Sequence, residues 1–242
     1  MRKKYRIWFS FRGTSCMEVG ARLMTAPTYT HPSLRGTSQI AVGRSGDFFA
    51  TDNARDPYEM KITIRTRVSN RERVSAWLDG SGLLIFSWQQ DRACPARIEE
   101  DYAWKLVVPG SDPMIEAEIA FMCQPWHYLQ PQAEAKTITV SGTHIVNPGT
   151  LASLPVVTIV GHGEFTINIG EQSLFFQNIE DGIVVNAELG DAYDLDATTL
   201  LNNKITGDLW EIEPGDNVVF WTAEPGSAVE SVTILPNWRY GE

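Results

Sequence analysis

Three cysteines, four histidines and two knots of carboxylates hold most of the chemistry that this 242-residue chain could do. Cys16, Cys94 and Cys123 are odd in number and widely spaced, with no Cys-x-x-Cys pair. That pattern argues against a disulfide framework and for synthesis in a reducing compartment. His31, His127, His144 and His162 lie far apart. Cys123 and His127 could share a metal, but a lone Cys-x-x-x-His lacks the ligand count of a closed zinc site. The cluster Asp191-Ala-Tyr-Asp194-Leu-Asp196 alternates oxygen ligands in a way that suits calcium. It lacks the glycine and distal bidentate glutamate of a helix–loop–helix site, so a solvated acidic loop is expected there; Glu99-Glu-Asp101 is the other dense carboxylate run. There is no Walker loop, no His-Glu-x-x-His and no Gly-x-Ser-x-Gly elbow. Gly161-His-Gly163 lacks the third glycine and the following helix of a dinucleotide fingerprint, and reads as a turn. Paired carboxylates for glycoside hydrolysis stay open, because their separation is spatial and not sequential. The expectation is a chain with no catalytic residues, cofactor or metal.

The elements that would position any site are mostly strands. Ile7, Phe9 and Phe11 alternate with polar residues, as do Met60, Ile62 and Ile64, Ile138 and Val140, Phe165, Ile167 and Ile169, and Val218, Phe220 and Thr222. Asp112-Pro113, Asn147-Pro-Gly149, Glu213-Pro-Gly-Asp216 and Glu224-Pro-Gly226 punctuate them as turns. One segment breaks the period. Ser69-Asn-Arg-Glu72 reads as a capping box, and Val74, Trp77 and Leu78 form one apolar stripe ending near Gly80. A single short helix packed on a sheet is expected.

Composition narrows the class. With 43% hydrophobic and 21% charged residues the chain can bury a real core. No window approaches the roughly 20 apolar residues of a membrane helix. Arg12 interrupts the apolar start too early for a secretory signal. The net charge of −10 argues against a nucleic-acid binder. Residues 1–124 hold 17 basic and 14 acidic side chains, whereas residues 125–242 hold 3 and 16, so the halves stand at +3 and −13. Such asymmetry suggests two modules facing different neighbours. The boundary is placed in Gln124-Pro-Trp-His-Tyr-Leu-Gln-Pro131, giving modules 1–130 and 131–242. Eight tryptophans and ten phenylalanines fit a core and subunit interface, with a sugar-binding groove as the alternative.

Read in order, the landmarks resemble the distal tail protein (Dit) family of long-tailed phages and prophages. Phe9-x-Phe11-x-Gly13 with Glu18-x-Gly20 looks like that family's first strand and turn. Val42-Gly43-Arg44-Ser45-Gly46-Asp47 is similar to its Pro-Gly-Arg-x-Gly signature, with Val42 in place of the proline. Tyr58-x-Met60-x-Ile62-x-Ile64 and Val74-x-x-Trp77-Leu78 match the following strand and helix. Phe121-x-Cys123-x-Pro125-Trp126-x-Tyr128 looks like the end of the first domain. Asn147-x-Gly149-Thr150, Ile159-x-Gly161-x-Gly163, Pro214-Gly215-x-Asn217 and Ile234-x-Pro236-x-Trp238-Arg239 continue the series to the C-terminus.

The resemblance implies a mainly β fold: an N-terminal β-sandwich-like, ring-forming domain with one short helix, and a C-terminal galectin-like β-sandwich. It implies a structural hub at the virion tail tip, made in the bacterial host cytoplasm. The hub would be a homohexameric ring joining the tail tube protein to a tail-associated tip protein, and able to carry receptor-binding proteins. Function would then lie in interfaces. Gly43, Arg44 and Gly46 are candidates for an inter-subunit or tube-facing loop, with Arg44 either bidentate to a neighbour's carboxylate or closing its own turn. Trp77, Leu78 and Trp126 are the further interface candidates. A carbohydrate-binding module, or a tail glycan hydrolase, is the competing class.

Overall fold

A computed structural model describes residues 7–28, 30–43 and 45–241 of the chain. The chain divides into two compact units, one running to His127, the other spanning Tyr128–Gly241. Both are built of antiparallel strands, and one α-helix is present among the described residues. That helix is too short to cross a membrane.

In the first unit the sheet order is Thr14–Ser15, Phe9–Phe11, Ser81–Phe86, Gln89–Ile98, Met114–Cys123, Tyr58–Arg67, Arg22–Leu23. Alternation builds it as read: Tyr58, Met60, Ile62, Ile64 and Thr66 are buried while Glu59 and Lys61 between them are not. Strand Met114–Cys123 pairs with Tyr58–Arg67 along its whole length. Glu116 therefore faces Arg65, its register partner, and the two form a half-buried ion pair. Phe9, Phe11, Trp77 and Phe121 meet in the core, with ring centroids 5.2 to 6.4 Å apart.

The helix Arg71–Leu78 buries Val74, Trp77 and Leu78, the stripe read from the sequence. Its capping box does not form. Val68–Asn70 winds as a 3-10 turn instead, so the helix starts at Arg71 with Asn70 before it and no side-chain cap. The Ser69 hydroxyl donates to Asp112, which Arg67 also engages at 3.0 Å. The helix is then fixed by burial of its stripe more than by its start. Gly80, just past the end, takes the left-handed φ of +94° that the termination needs.

The second unit is a two-layer β-sandwich. One layer orders Lys136–Ile138, Ala228–Leu235, the first half of Val156–Ile169, Gly182–Asn186 and Asp191–Tyr193. The other orders Thr143–Asn147, Gly215–Ala223, the second half of Val156–Ile169, Gln172–Ile179 and Ile205–Gly207. One strand thus serves both layers. Gly161-His-Gly163, read from the sequence as a turn, is the corner where it changes sheet, and the register shifts on either side of it. A Cβ on Gly161 would lie 2.4 Å from the Ala228 carbonyl, and one on Gly163 would lie 2.2 Å from the Ser227 hydroxyl. Phe165, Phe176 and the fully buried Trp210 stack through the core between the layers.

Candidate interface

The segment Leu34–Arg55 is a hairpin that pairs with no other described strand. Strands Leu34–Gln39 and Phe48–Arg55 lie antiparallel, Gln39 opposite Phe48, with a register shift after Leu34. Nearly every residue in it is exposed. The two-stranded ribbon is held by local polar contacts. Arg35 Nε donates to Asp52 Oδ2 at 3.1 Å, and the Thr51 hydroxyl donates to the Arg35 carbonyl at 2.7 Å. That pairing raises the Arg35 pKa and lowers that of Asp52. At the base Arg55 donates to the Pro32 carbonyl at 2.8 Å. Gly36 is required by packing: the Phe49 ring lies where its Cβ would stand, 2.4 Å away.

Among what this ribbon exposes are large apolar side chains. Ile40 and Val42 project almost wholly into solvent, and Phe48 and Phe49 remain 50% and 49% exposed. Isolated two-stranded hairpins are marginal in water, and contiguous exposed apolar surface marks an interaction site. Gly43 and Gly46 turn the tip, both at left-handed φ, +83° and +87°, with open space around them. Arg44, placed between them by the sequence, lies outside the described residues.

The other interface candidates sit elsewhere. Trp77 and Leu78 are buried in the core of their own unit, Trp77 donating its indole N–H to the Phe11 carbonyl at 3.0 Å. They fasten the helix to the sheet; the helix face left for a neighbour carries Arg71, Glu72 and Arg73. Trp126 is half-buried at the start of strand Trp126–Leu129. A second surface feature of the first unit escaped the sequence reading. A groove of about 640 Å³ is lined by Ile7, Met17, Leu23 and Met114, with Arg22 and Arg65 among its polar residues.

Two members of the acidic cluster of the second unit, Asp191 and Asp194, accept hydrogen bonds from neighbouring segments of the same unit. Asp194 accepts from the Thr198 amide and hydroxyl, both at 2.7 Å, and from the Thr199 amide at 3.2 Å. Those bonds lower its pKa, the Thr198 hydroxyl most. Asp191 accepts from Asn202 at 2.9 Å. Among the described residues no three His, Cys, Asp or Glu side chains converge to hold a metal ion.

The fold has a counterpart among solved structures. The crystal structure of SPP1 Dit (gp 19.1), described as a paradigm of the hub adsorption apparatus in Gram-positive infecting phages, superposes with a TM-score of 0.67. The match covers 96% of this chain and 98% of that one, at 13% sequence identity. This chain has the Dit fold. No family model and no curated protein matches its sequence. At that identity the two share architecture more than side chains, so what the fold does must be argued from this chain's own surfaces.

Proposed function

We propose that the chain is the structural hub of a phage tail tip, a homohexameric ring that joins the tail tube to the tip and receptor-binding apparatus. The observation that carries this reading is the match to SPP1 Dit over nearly the full length of both chains. The chain's own surface supports it. An exposed ribbon carrying apolar side chains and a groove lined by apolar side chains and arginines are two different patches on one unit, and contacts between unlike patches run head to tail and give rings where the rotation closes. The ribbon of one copy, with Phe48 and Val42 foremost, would seat against Ile7, Met17 and Met114 of the next. The role is structural and needs no catalytic group. Ring formation would reside in residues 1–130, since a module at −13 repels its copies. The carboxylates of 131–242 would then be displayed outward, open to basic receptor-binding partners and not to nucleic acid.

The test is the mass and shape of the full-length protein. Multi-angle light scattering should give six chains of 27.0 kDa each, and negatively stained images should show rings. A strictly monomeric protein at high micromolar concentration, with no rings, would overturn the reading. A glycan-binding role has one observation in its favour. Phe220 is exposed on the outer face of the second unit, opposite Asn168 and one step from the Thr166–Thr222 pair. An aromatic ring flanked by amide and hydroxyl groups suits a sugar, and glycan-array binding by the full chain would establish it.

A further inference from the structure

Four buried side chains that could do chemistry meet inside the sheet of the first unit. Cys123 pairs with Tyr58 on one neighbouring strand and with Ala96 on the other. Cys94 precedes Ala96 by two residues in a regular stretch, so it leaves the same face one diagonal step from Cys123. The ladder continues past them, Gln124 donating to the Pro95 carbonyl at 2.9 Å, and Cys94 Sγ lies 3.6 Å from the Gln124 carbonyl. Cys123, His127 and Tyr58 are the side chains that act on the Cys94 thiol. All four residues are buried. The sequence positions 58, 94, 123 and 127 give no hint of this gathering.

We infer that Cys94 and Cys123 are a redox pair, two thiols in the newly made protein that close to a disulfide once the particle leaves the reducing cytoplasm. The setting, but not the chemistry, rests on the tail-tip reading above. Cys94 is the attacking sulfur. Cys123 beside it, aided by His127 and Tyr58, favours its thiolate and holds its pKa below that of an ordinary thiol against burial, which alone would raise it. Cys16, in the same core, has no such company, and burial pushes its pKa up. A thiolate at neutral pH is the nucleophile of thiol oxidation. With hydrogen peroxide as oxidant, the Cys94 thiolate attacks one peroxide oxygen, the O–O bond breaks, and hydroxide leaves to be protonated to water. The sulfenic acid so formed is attacked by the Cys123 sulfur. The S–O bond breaks, the S–S bond forms, and a second water departs. Two thiols lose two electrons and peroxide gains them.

A diagonal pair must draw closer than its resting spacing to bridge. Pro95 and Pro125 offer no N–H to the ladder here, so the Gln124 amide bond to the Pro95 carbonyl is the backbone tie that closing the bridge must accommodate.

The experiment counts thiols in the full-length protein, whatever its oligomeric state, so its outcome is independent of whether rings form. The reduced protein is treated with millimolar hydrogen peroxide and alkylated in denaturant, and its mass and peptides are then read. Alkylatable thiols should fall from three to one, with Cys16 remaining and a Cys94–Cys123 linked peptide appearing. The Cys16→Ala variant should form the same bridge. Three surviving thiols, a bridge to Cys16, or a sulfinic acid on Cys94 with Cys123 still reduced would each overturn the inference. The wild-type count carries the test even if core cysteine variants fold poorly.

Discussion

Replacing the apolar crest of the hairpin by serine, as the triple variant Ile40→Ser, Val42→Ser and Phe48→Ser, separates assembly from folding. All three side chains are exposed within the chain, Phe48 by half and the other two almost entirely. None of the three belongs to the core cluster of the unit, and surface changes usually move stability within about 0.5 kcal/mol. In a ring contact the same atoms are buried. Fully burying an isoleucine or valine is worth about 1.5–3 kcal/mol, and the exposed half of a phenylalanine roughly 1–2. The gross loss is therefore about 4–8 kcal/mol per contact. Side-chain ordering and imperfect seating leave about half of it realised, about 2–4 kcal/mol. At 1.4 kcal/mol per tenfold, each contact should weaken by roughly 30- to 700-fold. Sedimentation velocity across a micromolar concentration series reads that shift, and circular dichroism melts report on the fold. The expected result is a folded protein with an unchanged melting temperature whose assembly midpoint has moved up steeply in concentration. An unchanged assembly curve refutes the hairpin as the contact. A melting temperature lower by many degrees refutes the claim that the crest is idle in the monomer.

Trp77→Ala should behave oppositely, costing about 3–5 kcal/mol of folding stability in chemical denaturation, because the indole packs on Phe9 and Phe11 and bonds the Phe11 carbonyl. Gly163→Ala should destabilise the second unit by about 2 kcal/mol or more, since its Cβ would meet Ser227 at a φ of +87°. Gly142→Ala, at a similar φ but in open space, should cost only about 1 kcal/mol. The carboxyl of Asp194 is depressed in the folded protein, so its contribution is present above its ordinary value of 3.8 and is lost as pH falls through the lower folded value. Asp194→Asn should therefore lower the denaturation midpoint at pH 7, and the two midpoints should converge on acidification below 3.8. EDTA should leave the wild-type melting temperature unchanged, because the Asp194 oxygens already accept three bonds from their own turn.

Legibility in the sequence followed burial. The Tyr58–Arg67 alternation and the Val74, Trp77, Leu78 stripe were readable because each element buries one face, and a buried face imposes its period on residue choice. Leu34–Gln39 and Phe48–Arg55 bury neither face within the chain, so they carry no period, and only the glycines of the tip were visible. Thr37, Thr51, Phe48 and Phe49 flanking a glycine-bearing turn were the available strand signal. Gly161-His-Gly163 misled for a different reason. Glycine punctuates a turn and a sheet-switching bulge alike, and only the pairing partners tell them apart. The approach of Cys94 to Cys123 depends on register across two strands, which no local pattern encodes. Trp77 and Leu78 show the converse: their apolar spacing announced burial, and the partner proved to be their own sheet.

The strand Val156–Ile169 gives the second unit a mechanical character. Fourteen residues run without a break from one layer into the other, so the two sheets share a covalent crossbeam as well as a core. Pulling the layers apart would require stripping its ladders to Ala228–Leu235 and Gly182–Asn186 on one side and to Gly215–Ala223 and Gln172–Ile179 on the other. A load along this strand meets those bonds in shear, many at once, and not one after another as in unzipping. Under force spectroscopy the sandwich should rupture in a single event, with no intermediate in which one layer survives the loss of the other.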